Sequence, residues 1–244
     1  MKINQSTKLV LRDVYLYDIE SCHYSIMQNL GLDMTGIEVD NKLERNIQIG
    51  KMMRKNPKLT SLLRNTTNSI IDEYIRVNEI TDDDIILRQY DGILLYKKQL
   101  RVTDLKGIPL NIRKHFIIFI SSIDRTRYIA LNSEMGTSIK GVPYKYDEMN
   151  KIYDQICKIN YTNKESIFRN LQRIKDHIMT TKSAKLFGIP IDDNRFNIYL
   201  KEYGQMEVTK ATLKIMDPED IDRDRYFNFY IAPFTKSIVV DFVR

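Results

Sequence analysis

Two aspartates, Asp18 and Asp91, stand in settings that suit phosphoryl chemistry. Transfer of a nucleotidyl group uses two divalent cations about 4 Å apart, one at the attacking hydroxyl and one at the leaving phosphate. Magnesium takes oxygen ligands in octahedral geometry and usually only one or two protein carboxylates. Two aspartates on adjacent strands, faced by a basic helix for the triphosphate, are therefore a minimal set. Asp18 closes a run rich in Val, Leu and Tyr, KLVLRDVYLYDI at 8–19, which reads as a strand. Asp91 lies where IILRQYDGILLYKK at 85–98 divides into two β-favouring runs, and Asp91-Gly92 between them signals a hairpin. Each aspartate also has a plainer reading. Asp18 suits the N-cap of a following helix, and Asp91 suits a turn.

The elements around these residues follow from periodicity and punctuation. SIMQNLGL at 25–32 reads as a short helix closing near Gly31. A helical hairpin follows, over 41–56 and 60–78, interrupted at Pro57 because proline disfavours helix in the residue before it. It carries Arg45, Lys51, Arg54, Lys55, Lys58 and Arg64, which is how the sequence could place cations opposite the carboxylates. Beyond the Asp91 hairpin, strands are expected at 113–121, 125–132 and 138–146, then helices at 147–158 and 165–178. The latter sets Ile167, Leu171, Ile174 and Ile178 on one face. In 186–244, turn signals alternate with three runs read as strands: RFNIYL, YFNFYI and SIVVDFV. There is no internal repeat.

Bulk properties narrow the function classes. The 244 residues are 43% hydrophobic, enough for a folded core, with a formal charge of +6. Residues 97–146 hold ten Lys and Arg against three acidic residues, so the basic excess concentrates in the β region and suits a polyanion. Cys22 and Cys157 have neither disulfide-framework nor zinc spacing and read as small buried hydrophobes. His115 and His177 show no metal spacing. The first twenty residues lack the apolar run of a signal peptide, and FIIFI at 116–120 is too short to span a bilayer. The expectation is a cytoplasmic protein with no membrane partner.

The residues around the two aspartates resemble family B DNA polymerases. DIESCHYSIM at 18–27 is similar to that family's first palm motif, D-x-x-S-L-Y-P-S-I-M, at Asp18, Ser21, Ser25, Ile26 and Met27. QYDGIL at 89–94 keeps the second aspartate of the third motif, D-T-D-S, as Asp91, with Gln89 in place of the first. Of the middle motif, K-x-x-x-N-S-x-Y-G, Arg64, Asn68 and Ser69 align, while Ile71 and Asp72 replace Tyr and Gly. RTRYIAL at 125–131 and KGVPYKYD at 140–147 follow in the order of the family's primer-template elements. The resemblance covers residues 8–180.

It implies an α+β fold: a polymerase-type palm with an antiparallel sheet, a helical-hairpin fingers insert and a C-terminal helical thumb. The expected division is 1–38 and 81–146 for the palm, 39–80 for the fingers, and 147–244 for the thumb and a C-terminal α/β region. The implied activity is template-directed DNA synthesis with two Mg2+ ions, Mn2+ being an alternative. Asp18, Asp91 and the Ile19 carbonyl would hold the metals. Ser21, His23, Lys51, Arg54, Arg64 and Asn68 would meet the nucleotide, with His23 at the family's tyrosine position beneath the sugar. Arg125, Arg127, Tyr128, Lys140 and Lys145 would contact nucleic acid. The implied partners are a primed template, nucleoside triphosphates and a second polypeptide supplying amino-terminal and exonuclease domains. The alternatives are a subunit of a split polymerase, a primase-like enzyme, and a non-catalytic nucleic-acid-binding palm.

Overall fold

The computed structural model describes residues 3–4, 7–134, 136–142 and 147–242. The strands are β1 (Val10–Leu11), β2 (Val14–Ile19), β3 (Ile85–Arg88), β4 (Gly92–Tyr96), β5 (Asp104–Leu105) and β6 (Ile108–Ser121). They continue with β7 (Tyr128–Asn132), β8 (Thr137–Lys140), β9 (Ile189–Pro190), β10 (Arg195–Leu200) and β11 (Gly204–Thr209). The helices are α1 (Cys22–Asn29), α2 (Lys42–Lys55), α3 (Pro57–Val77), α4 (Asp147–Cys157) and α5 (Lys164–Thr180). Three more follow: α6 (Lys210–Ile215), α7 (Arg223–Tyr226) and α8 (Ala232–Phe242). This is an α+β fold with antiparallel sheets. It divides into two units, residues 13–116 and residues 1–12 with 117–244.

In the unit of residues 13–116 the strands run in the order β3-β4-β2-β6, antiparallel throughout, with β5 hairpinned onto the start of β6. One face is apolar because Tyr17 and Ile19 alternate with Asp18 along β2 and side chains alternate across a strand. Tyr17, Ile19, Ile93, Leu95 and Leu110 form a core with Ile26 and Met27 of α1, Ile49 of α2, and Leu63, Ile71 and Tyr74 of α3. The buried residues of α3 (Leu63, Thr67, Ile71 and Tyr74) recur at helical spacing, so one stripe meets that core. Each large apolar side chain fully covered there contributes about 1.5–3 kcal/mol. Asn56 ends α2, and its side chain accepts from the Leu59 N–H to start α3, with Pro57 at a first-turn position where a missing N–H costs nothing.

Several expectations change here. The run 8–19 is two strands, parted at Arg12–Asp13, where Asp13 takes a left-handed φ of 56°. The first helix begins at Cys22, three residues before the expected start. The Asp91 hairpin exists, but Tyr90 and Asp91 make its bend and Gly92 already belongs to β4. Neither Asp91 nor Gly92 has positive φ, so glycine is not there to supply a left-handed turn.

The other unit pairs β1 with the end of β6 and sets the β7–β8 hairpin beside it. Its core includes Ile118, Ile120, Ile129 and Leu131 from strands, with Ile152, Ile156, Ile167, Ile174 and Ile178 from α4 and α5. A second sheet, β11-β10-β9, contributes Ile189, Ile198 and Val208. RFNIYL is β10 as expected. YFNFYI and the described part of SIVVDFV are helical: α7, a π-helical turn at Phe227–Ile231, and α8. Tyr226, Tyr230, Ile231 and Ile238 are buried in that core, so tertiary burial overrides the β-branched and aromatic composition of the two runs.

Candidate active site

Asp18 is the penultimate residue of β2, the strand between β4 and β6, and pairs with Gly92 on one side and Asn111 on the other. Asp91 immediately precedes Gly92, and its carbonyl accepts the Ile19 N–H at 2.8 Å. The two aspartates are thus diagonal neighbours on adjacent chain segments. Gly92 makes this approach possible. A Cβ on Gly92 would collide with the Tyr17 carbonyl oxygen and lie 3.3 Å from Asp18 Oδ1. The N-cap position of α1 is Ser21, not Asp18, and its side chain makes no capping bond. The capping reading of Asp18 is therefore excluded, because Asp18 sits within a paired strand.

Ser21 holds a left-handed φ of 46°, a strained conformation for a non-glycine residue. It turns the chain sharply from β2 into α1 and brings Cys22 and His23 beside the Asp91 bend. His23 Nε2 lies 3.0 Å from the Tyr90 hydroxyl. Thr67 of α3 reaches the same hydroxyl at 3.4 Å and Cys22 Sγ at 3.5 Å. Burial lowers the His23 pKa, Asp91 pulls it up and Arg64 pushes it down, so Arg64 and Asp91 both act on this cluster. The Cys22 thiol is pushed up to about 11, first by burial, with Asp91 and Asp18 adding negative potential against the thiol–Thr67 contact. Both cysteines are buried, as expected of small hydrophobes.

The basic hairpin contributes unevenly. Arg64 is exposed on α3 and acts electrostatically on His23 and Tyr90. Asn68 is exposed, and its carbonyl accepts from Arg88 at 3.2 Å. Asp72 pairs with Arg88 at 2.6 Å. Lys51 and Arg54 are exposed on α2, where Arg54 Nε donates to the Gly50 carbonyl at 3.3 Å. Three further residues join this cluster without being singled out by the sequence motifs: Arg45, Thr67 and Tyr90. Arg45 donates to Ser21 Oγ at 2.9 Å and to the Val39 carbonyl at 2.7 Å, over the Tyr24 ring. Nothing local separates Arg45 from the other cations of the hairpin, and only the fold brings it to Ser21. Thr67 does carry a signal, since the i, i+4 spacing of Leu63, Thr67 and Ile71 places it on the inward face of α3.

Arg125, Arg127, Tyr128 and Lys140, expected at nucleic acid, lie in the other unit. Arg125 and Arg127 lie in the turn before β7, not on a strand, and Arg125 has a φ of 56°. The Arg125 guanidinium donates to the Asn4 carbonyl at 2.5 Å and the Thr7 carbonyl at 2.6 Å. Arg127 donates to the Phe229 carbonyl at 2.7 Å and pairs with Asp124 at 3.4 Å. Both are engaged within the fold. Tyr128 is 1% exposed against Phe119, and burial pushes its pKa up to about 12, so it is a core residue. Lys140 is exposed on β8. Lys145 lies outside the described residues.

The sequence matches the family described as bacteriophage PBS1 gene 130 protein over residues 11–216. The chain belongs to that family. No curated protein matches it. Among solved structures, this gene 130 family member is similar to the family B DNA polymerase from the hyperthermophilic archaeon Pyrobaculum calidifontis, with a TM-score of 0.51 and 11% identity. The match covers 95% of this chain and 45% of the polymerase, so the chain spans less than half that protein's length. At this identity the likeness is one of fold. No helix among the described residues is long and apolar enough to cross a membrane.

Proposed function

We propose that this chain extends a primer on a nucleic-acid template, with its reaction centre at Asp18 and Asp91. The observation that carries the reading is that Asp18, paired with Gly92, and Asp91, the residue before it, both act electrostatically on the Cys22 thiol. The polymerase-like fold supports it. Among the described residues no group of three or more His, Cys, Asp and Glu gathers to hold a metal, so the fit rests on two carboxylates with neighbouring carbonyls. That donor set suits hard cations. Asp18, Asp91 and the Ile19 carbonyl would hold Mg2+, or Mn2+ in its place. Bound there, the ions would activate the primer hydroxyl and offset charge on the phosphates.

The remaining work falls to the chain's own groups. In this reading a bond forms between the primer 3′-oxygen and the α-phosphorus while the bond to pyrophosphate breaks. Arg64, with Lys51, Arg54 and Asn68, would orient the triphosphate, since such catalysis is largely positioning and charge stabilisation. Ser21 and His23 would border the nucleotide, and Lys140 would contact the template backbone. A second polypeptide would complete the enzyme with amino-terminal and exonuclease domains. The test is Mg2+-dependent primer extension, run on DNA and RNA templates with each nucleotide type. Asp18→Asn and Asp91→Asn should each lower the rate roughly a thousandfold, the effect of losing several kcal/mol of transition-state stabilisation. Near-normal rates in either variant would overturn the assignment.

A second reading, a non-catalytic nucleic-acid-binding module, is favoured by Gln89 at the first motif-three position and by the Asp72–Arg88 pair in the middle motif. Template binding without incorporation under any of these conditions would select it.

A further inference from the structure

Helix α5 buries Ile167, Leu171, Ile174 and Ile178, yet Phe168 on its outer side is 50% exposed. Phe168, Gln172 and Lys175 make an outward stripe at i, i+4 and i+7 on α5, and Lys236 and Val240 make another at i and i+4 on α8. Both stripes line one groove of about 510 Å³ within the unit of residues 1–12 and 117–244. Ile123, 43% exposed, and Phe227 also line it. Phe227 opens the π-helical turn, a local departure that often marks functional positions. Apart from Gln172 and Thr235 the lining is apolar with two lysines, none of it acidic among the described residues, and Lys175 Nζ stands 5.8 Å from the Phe227 ring centre.

We propose that this groove docks an acidic amphipathic helix from a partner protein. The stripe from Phe168 to Lys175 spans about 10 Å, two helical turns, which suits a helix laid in a groove with apolar anchors at i, i+3 and i+4. Charge complementarity sets the chemistry: carboxylates flanking those anchors meet Lys175 and Lys236, whereas a basic helix would face like charge. The inference stands whether or not the aspartates are catalytic.

The test is fluorescence anisotropy of the full chain with a labelled 15-residue helical peptide bearing leucines on one face and flanking glutamates. Micromolar binding is expected. Phe168→Ser, and Lys175→Glu combined with Lys236→Glu, should each weaken it at least tenfold, with folding checked by circular dichroism. The charge-reversed variant should instead bind the same peptide carrying lysines in place of glutamates. Absence of binding, or binding that neither variant changes, overturns the proposal. So does a concentration-dependent dimer, seen by sedimentation and abolished by Phe168→Ser, which would assign the groove to a second copy of the chain.

Discussion

Among single residues, Gly92 links sequence to the proposed chemistry most directly. Its role is steric: the β2 backbone passes where a side chain would be. Gly92→Ala should push the strands apart, costing about 1–3 kcal/mol, as forced overpacking does. It should also depress primer extension more than it depresses stability, which parallel urea titrations and rate measurements would separate. His23 offers a pH-dependent counterpart. Burial depresses its folded pKa, so the unfolded chain binds the proton more tightly. Its contribution is intact above the ordinary histidine value of about 6.5 and is lost as pH falls through the folded value. Urea titrations across that range should show stability declining with acid, and His23→Gln should flatten this part of the curve. An unchanged profile in the variant would assign the dependence elsewhere.

Between elements, buried or half-buried polar side chains fasten the helices and the amino-terminal segment. Asn78, beyond the end of α3, donates to the Tyr74 and Val102 carbonyls and accepts from the Arg101 and Val102 N–H groups. One side chain thereby ties the helix that carries Arg64 to the segment leading into β5. Asn78→Ala should cost about 3 kcal/mol, because it strands buried backbone groups, and denaturant unfolding would measure it. A change below about 0.5 kcal/mol would mean that water replaces those bonds. Arg125 plays the equivalent part in the other unit, where its guanidinium holds the Asn4 and Thr7 carbonyls and so anchors the chain ahead of β1.

Over the whole molecule, the basic excess of residues 97–146 remains, but its accessible members are only partly those its motifs suggested. Arg113, at the register irregularity of β6, and Lys140 are exposed, whereas Arg125 and Arg127 are engaged internally. Affinity for primed duplex should fall linearly with log salt, and Arg113→Ala and Lys140→Ala should each flatten the slope by about one phosphate contact. Slopes unchanged from that of the parent chain would place the footprint on other residues.

Local signals in the chain were enough to specify the helical hairpin, the hairpin at Asp91 and the amphipathic face of α5. Those signals are Pro57, an Asp-Gly between apolar runs, and apolar residues at helical spacing. The order of aspartates and basic helices was legible for the same reason. What those residues touch was settled by packing. Composition favoured strands for YFNFYI and SIVVDFV, but packing into the core made their described residues helical. It favoured phosphate contact for Arg125, Arg127 and Tyr128, but folding turned the first two onto backbone carbonyls and the third into the core. Arg45 reaches Ser21, and Thr67 reaches Tyr90, across separations of more than twenty residues. No local pattern encodes such pairs, because a contact between distant residues depends on packing that only the complete chain establishes.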